Sequence, residues 1–139
     1  MTTTKKSSVS VGDALPELKL PPIDRATLAL FAGASGDHNP IHIDLDFARR
    51  AGMNDVFAHG MLGMAWVGRL VTAWQPQSKL RRFDVRFGAI THLGNAPVLN
   101  GKVLEVLEQD GETRARVQIE MRNHYGESKI QGEALVALD

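Results

Sequence analysis

The longest apolar run of the chain lies between residues 59 and 74 and has almost no polar face. Only Arg69 and Thr72 interrupt it, whereas a helix on a protein surface keeps a continuous polar stripe. Pro76 follows the run, and proline lacks the backbone N–H that a helix interior needs. The pattern therefore predicts a central helix over about 59–74 that is buried on every side.

Downstream of this run, apolar residues recur at every second position. The segments RFDVRF, RARVQIEMR and KIQGEAL alternate in this way, and VLNGKVLEVLE is a less regular example. A period of two indicates strands with one buried and one solvent-exposed face, which is typical of antiparallel sheets. The residues QDG (109–111) and NHYGES (123–128) predict turns between consecutive strands.

Two shorter helices are predicted upstream of the central one. Asp24 is a suitable N-cap for the first, which Gly33 and Gly36 are expected to end. The second extends from about Asp44 to Ala51.

One apolar helix and four or five strands with a single apolar face predict an α+β fold in which the sheet curls around the helix. Such a sheet has open edges and covers the helix incompletely, so a dimer is expected. Residues 1–8 are polar and aperiodic and predict a disordered tail, which leaves 9–139 as a single domain.

Composition excludes several classes of function. The 139 residues carry 16 Lys+Arg and 16 Asp+Glu, and this zero net charge argues against a nucleic-acid partner. With no cysteine, the chain has no disulfide, thiol nucleophile or thiolate metal site. The apolar run is too short for a membrane span and no secretory signal is visible, so a cytoplasmic protein is expected.

The loop SGDHNPIH (35–42) sets an acid, Asp37, and an imidazole, His42, on either side of Asn39 and Pro40. On local sequence alone, a structural turn is the favoured interpretation, because Asp and Asn hydrogen-bond to their own backbone. His42 could equally be a buried core histidine. The third interpretation is an acid-base pair that shares one water molecule on a turn stiffened by proline.

No metal or cofactor is expected at this loop. His38 and His42 have the spacing of a helical metal pair, but Pro40 lies between them and biases Asn39 away from helix. No strand leads into the loop, which argues against a dinucleotide-binding motif.

A second candidate feature is the start of the central helix, in AHGML (58–62). The first N–H groups of a helix have no partner within it, and the helix dipole is positive at this end. Gly60 has no side chain to block an approaching oxygen, so its N–H could stabilise an oxyanion. Close packing at a helix start explains a glycine there equally well.

Together, FAGASGDHNPIHIDLDFA (31–48) and AHGML resemble the signature of the MaoC-like, hydratase 2 family of hot-dog proteins. The signature combines an aromatic residue, Gly-Asp-x-Asn-Pro-aliphatic-His and a small residue six positions later. These positions are occupied here by Phe31, Gly36, Asp37, Asn39, Pro40, Ile41, His42 and Ala48. The resemblance extends weakly over the whole chain.

The resemblance implies a hot-dog dimer and the reversible syn hydration of trans-2-enoyl thioesters to (R)-3-hydroxyacyl thioesters, in fatty-acid or polyhydroxyalkanoate-type metabolism. It makes Asp37 and His42 the residues that activate water, and Gly60 the donor to the thioester carbonyl. Asn39 and His59 would orient the loop and the helix start, and Met61 completes the expected substrate-binding set. The substrate would be an acyl-CoA or an acyl carrier protein thioester, and the assembly a homodimer, a higher oligomer or a heterodimer.

One position departs from the family pattern. Some relatives carry a serine that supports the catalytic Asp where this chain has Gly68, so either Asp37 is held by other groups or the acyl pocket is enlarged. The alternative function is a structural or acyl-binding subunit of a heteromeric acyl-thioester dehydratase, and a thioesterase is a third interpretation. Retention of both Asp37 and His42 favours the enzyme.

Overall fold

In the computed structural model, which describes residues 8–138, five strands form one antiparallel sheet in the order β1-β3-β4-β5-β2. The predicted disordered tail lies outside the described residues except for Ser8, and the single-domain assignment stays a prediction. The strands are β1 (Leu18–Lys19), β2 (Leu80–Phe87), β3 (Val98–Gln109), β4 (Glu112–Arg122) and β5 (Ser128–Ala137). The helices are α1 (Arg25–Ser35), α2 (Leu45–Arg50) and α3 (Gly60–Trp74), with 3₁₀ turns at Pro40–His42 and Gln77–Lys79.

The period-two segments form the sheet as predicted. In β4, the apolar residues Ala115, Val117, Ile119 and Met121 are all buried, and the polar residues between them are more exposed. Both predicted turns connect neighbouring strands. Asp110 and Gly111 adopt positive φ angles of 52° and 79° in the first, a conformation that suits a tight two-residue hairpin.

The α3 helix packs on this sheet through one face. Its buried residues are Leu62, Gly63, Val67, Leu70 and Val71. The expectation of burial on every side is wrong for the chain alone, because Met61, Ala65 and Arg69, spaced four residues apart, are exposed. A single sheet contacts only one side of a helix, so the opposite side has no cover within the described chain.

The two upstream helices begin as the sequence predicts. The Asp24 carboxylate accepts the Thr27 N–H at 2.8 Å, and the Asp44 side chain caps α2 in the same way. Gly33 does not end α1: the helix continues through it, and Gly36 ends it with a φ of 79°. The left-handed conformation needed at the C-cap is found only at the second glycine.

A second apolar cluster joins α1 and α2 to the beginning of α3. It consists of Ile23, Leu28, Ala48, Val56, Ala58 and Leu62. This cluster fixes the loop between α1 and α2 next to the N-terminus of α3. Among the described residues, no helix is long and apolar enough to span a membrane.

At Gly132 of β5, the neighbouring strand β2 passes unusually close. A Cβ atom there would collide with the backbone carbonyl oxygen of Asp84, which cannot move aside as a flexible side chain can. The glycine therefore permits the close pairing that places β2 at the sheet edge beside α3.

Candidate active site

The loop between α1 and α2 is shaped by its own polar side chains. Asn39 caps the 3₁₀ turn at Pro40–His42, because its Oδ1 accepts the Ile41 N–H at 3.1 Å. The Asp37 Oδ1 accepts the Asn39 N–H at 3.2 Å. The structural-turn interpretation is therefore correct for Asn39, and Asp37 has a second carboxylate oxygen for other partners.

His42 is anchored through one of its two ring nitrogens. The residue is only 9% exposed, and its Nδ1 lies 2.7 Å from the Phe57 carbonyl oxygen. Because a carbonyl oxygen can only accept, Nδ1 carries the proton and donates it. In the neutral ring, Nε2 then has a free lone pair, as a general base requires.

His59 lies directly against His42. The two rings stack with centroids 4.0 Å apart, and His59 is 2% exposed. Its Nε2 lies 3.2 Å from the backbone carbonyl oxygen of Asp37 and therefore donates to it. Burial and the neighbouring His42 lower the pKa of His59, so the ring stays neutral at pH 7.

The second nitrogen of His59, Nδ1, is buried without a hydrogen-bond partner among the described residues. Such a group normally costs about 1–3 kcal/mol, so it calls for an explanation. The hydrogen bond that Nε2 of the same ring donates compensates for the unpartnered Nδ1. This bond joins the N-terminus of α3 to the Asp37 loop.

Asp37, His42 and His59 form one cluster. One carboxylate oxygen of Asp37 and one ring nitrogen of each histidine all lie within 4.8 Å of one another. A water molecule with two hydrogen bonds of about 2.8 Å spans such a gap. The same three residue types can also bind a metal ion. However, the ring planes of the two histidines differ by only 28°, so their in-plane lone pairs run side by side and converge poorly on one ion.

The α3 helix begins beside this cluster. The first intrahelical bonds start from the Leu62 and Gly63 N–H groups, which both reach the His59 carbonyl. The Gly60 and Met61 N–H groups come before them, at the positive end of the helix dipole. A Cβ at Gly60 would lie 3.3 Å from the Phe87 ring, so a larger residue would crowd this position.

A cavity of about 300 Å³ opens next to Gly60. The α3 face, the ends of β2, β4 and β5, and the segment after β2 enclose it. Its lining is mostly apolar and includes His59, Gly60, Trp66, Phe87, Ile90, Thr91, Met121 and Ile130. Asp37 and His42 do not line it; they meet it through His59.

The remaining predicted residues take different places. Met61 is 57% exposed and points away from the core. Gly68 faces β2, where an added Cβ would lie 3.8 Å from the Phe83 ring. Asp37 is held by groups other than residue 68: its carboxylate accepts the Asn39 N–H within the loop, and its backbone carbonyl accepts from His59 at the start of α3.

Two contributions to the site were missed at the level of sequence. The Phe57 carbonyl sets the His42 tautomer, and backbone groups give no signal of this kind in a sequence. Residues 88–91 form a cavity wall, although no chemistry was assigned to them. The small residues Gly88 and Ala89 directly after a strand were the available signal.

The chain is similar to several known proteins in sequence and in fold. A mitochondrial 3-hydroxyacyl-[acyl-carrier-protein] dehydratase from Arabidopsis thaliana is 26% identical over 136 residues, which is 96% of this chain and 80% of that protein. The unliganded R-hydratase PhaJ1 from Pseudomonas aeruginosa has a TM-score of 0.84 and 28% identity, covering 96% of this chain and 85% of that one. The ChsH1-ChsH2 complex from Mycobacterium tuberculosis contains a chain with a TM-score of 0.81 and 26% identity, and the match covers 94% of this chain and 99% of that one.

These structures confirm the α+β, hot-dog prediction for the fold. The model of the MaoC like domain matches residues 7–129, which include the whole cluster, the start of α3 and the cavity wall. The chain therefore belongs to the MaoC-like domain family, and it is a hydro-lyase like the dehydratases and hydratases that it resembles.

Proposed function

We propose that this protein catalyses the reversible syn hydration of trans-2-enoyl thioesters to (R)-3-hydroxyacyl thioesters. The observation that carries the proposal is the Asp37–His42 pair, whose ligand atoms lie within 4.8 Å while the His42 Nδ1 is committed to a carbonyl. A water molecule between them would face one acceptor at His42 Nε2 and another at the carboxylate. The family and the names of its relatives support the same chemistry.

In the hydration direction, the pair takes a proton from the bound water as its oxygen bonds to C3 of the enoyl group. The electron pair of the double bond moves towards the thioester carbonyl, and the Gly60 N–H stabilises the enolate oxygen. The pair then returns a proton to C2, which regenerates the starting protonation state. Water and proton arrive from the same face because one pair delivers both, and dehydration reverses these steps.

The thioester would lie across the start of α3, with its acyl chain in the apolar cavity beside Gly60. An acyl carrier protein substrate is supported by the Arabidopsis dehydratase, and the chain would accept acyl-CoA by the same chemistry. His59 would hold the Asp37 loop, and Asn39 would shape it. Met61 would contribute its N–H rather than its exposed side chain.

A second candidate is a subunit of a heteromeric acyl-thioester dehydratase. It is favoured by the similarity to a chain of the ChsH1-ChsH2 complex and by the uncovered face of α3. In that case the protein would be inactive alone and would hydrate enoyl thioesters only with its partner chain.

The test is hydration of crotonyl-CoA and longer enoyl-CoA thioesters, followed as loss of the conjugated-thioester absorbance. Asp37→Asn and His42→Gln should each lower the rate at least about a hundredfold, the usual scale for acid-base groups. Asp46→Asn, an exposed acid of α2, is the matched control and should keep full activity. A folded Asp37 or His42 variant with normal turnover would overturn the assignment, and release of free CoA thiol would indicate a thioesterase.

A further inference from the structure

Lys129 is a buried cation that the proposed reaction leaves unused. Its side chain is 5% exposed, near the start of β5, and the next residue, Ile130, lines the cavity. Burying an ammonium group is costly unless hydrogen bonds and an opposite charge hold it. The Lys129 Nζ donates to the Ile90 carbonyl at 2.8 Å and lies 3.5 Å from the Glu127 carboxylate.

Lys129 holds the segment after β2 at two points. Its own backbone carbonyl accepts the Gly88 N–H at 2.9 Å, directly where the chain leaves the strand. Its Nζ reaches the carbonyl of Ile90, two residues further along. Gly88, Ala89 and Ile90 all line the cavity, so the two bonds fix the position of one cavity wall.

The same wall is bonded to the segment that carries the site. The Thr91 carbonyl accepts the Ala58 N–H at 2.9 Å, and Ala58 directly precedes His59 and Gly60. The wall therefore lies between the Lys129 ammonium and the start of α3. If Ile90 were released, the width of the cavity would change, while the hydrogen bonds of Asp37 with Asn39 and of His42 with Phe57 would remain.

We propose that Lys129 is a positioning residue, which sets the width of the acyl cavity by holding the wall at residues 88–91. The role rests on the proposed function, since it assumes that an acyl thioester occupies this cavity. A wall that contacts the substrate equally before and during the reaction contributes uniform binding, so its loss raises KM and leaves kcat nearly unchanged. A looser wall also discriminates less between acyl chains of different length.

The test compares Lys129→Met, which keeps most of the length of the side chain but has no donor, with Lys129→Arg, which keeps both charge and donors. In steady-state hydration of enoyl-CoA thioesters, Lys129→Met should raise KM about tenfold with kcat within about twofold, the scale of one hydrogen bond to a charged group. Lys129→Arg should recover most of the affinity. Lys102→Met, on the exposed side of β3, is the control and should match the unchanged protein.

Two outcomes would overturn the proposal. Unchanged KM values in a folded Lys129→Met protein would show that the wall needs no clamp. A fall in kcat at constant KM would place the effect on the chemistry rather than on the cavity. Circular dichroism checks the fold, which Lys129→Met should keep because it removes a buried charge together with its desolvation cost.

Hydrogen exchange separates this proposal from the proposed function. Even if the protein hydrates no enoyl thioester, Lys129→Met should speed amide exchange in residues 88–92 and leave β3 protected, whereas Lys102→Met should not. Faster exchange in a protein without any hydratase activity would support the positioning role of Lys129 and contradict the proposed hydration reaction. Unchanged exchange in residues 88–92 would contradict the positioning role of Lys129, whatever the hydratase activity.

Discussion

At the scale of single residues, the partner of each ring nitrogen decides what a histidine does. His42 donates through Nδ1 to the Phe57 carbonyl, which makes Nε2 the nitrogen with the lone pair in the neutral ring. His59 donates through Nε2 to the Asp37 carbonyl and has a buried, unpartnered Nδ1. The two stacked rings therefore have opposite tautomers, which suits one of them as a base and the other as a support.

Substitution of His59 tests this division at the residue scale. Glutamine places an amide N–H near the position of Nε2 and should keep the bond to the Asp37 carbonyl, whereas asparagine reaches only the position of Nδ1. We expect His59→Asn to lower kcat about tenfold or more with little change in KM, because the Asp37 loop loses its anchor. His59→Gln should keep most of the rate.

The measurement is steady-state hydration of crotonyl-CoA by both variants, with melting temperatures as a check on folding. Equal losses in the two variants would contradict the anchoring role, because only one of them lacks the donor. A rise in KM alone would point to direct contact between His59 and the substrate.

At the scale of elements, an ion network ties together two strands that do not pair with each other. Arg81 of β2 and Arg114 of β4 both donate to Glu112, at 2.6 and 2.8 Å, across the end of the intervening strand β5. These hydrogen bonds lower the pKa of Glu112 from its ordinary value of 4.5 to about 2. The network is formed at a strand end, where sheets fray first.

The lowered pKa of Glu112 predicts an acid dependence of stability. The folded state holds the Glu112 proton less tightly than the unfolded state, so the stabilisation is present above pH 4.5 and is lost as pH falls towards 2. Glu112→Gln should therefore unfold at lower urea concentration than the unchanged protein at pH 7, and the two should converge near pH 2. Glu17→Gln removes the same charge from an exposed pair and should have little effect. A loss of stability in Glu112→Gln that is the same at every pH would contradict the dependence of stability on the Glu112 charge.

At the scale of the whole molecule, two uncovered features lie side by side. The α3 face with Met61, Ala65 and Arg69 is exposed, and β2 is an edge strand of the sheet. A Cβ added at Gly60 would lie 3.3 Å from the Phe87 ring and one added at Gly68 would lie 3.8 Å from the Phe83 ring, so this helix runs along that strand. An exposed helix face next to an open edge is suited to association with a second hot-dog chain.

We therefore expect the protein to be a dimer or a higher oligomer, through this face of α3. Ala65→Glu should weaken the assembly, because it places a large charged side chain where a small apolar one would be buried at the interface. Leu30→Glu changes an exposed residue of α1 in the same way and should leave the assembly intact. Sedimentation velocity measures both. A monomer that hydrates enoyl thioesters at full rate would contradict the expectation, whereas a monomer that is active only with a partner chain would support the heteromeric subunit.

Most of the elements were predictable because their signals are local. The strands follow from period-two alternation, the turns from Asp110-Gly111 and residues 123–128, and the helix starts from Asp24 and Asp44. One of the errors was local as well. Gly33 lies inside α1, because one glycine in a helix is tolerated unless the chain also turns left-handed.

The residues that could do chemistry are recognisable in the sequence: Asp37, His42 and Gly60 were named from their spacing and from the family signature. How these residues are held depends on the tertiary structure. The Phe57 carbonyl that sets the His42 tautomer is 15 residues away along the chain, and the Ile90 carbonyl held by Lys129 is 39 residues away. A hydrogen bond between residues so far apart depends on how the sheet, the helix and the loops pack, and local spacing carries no record of that packing.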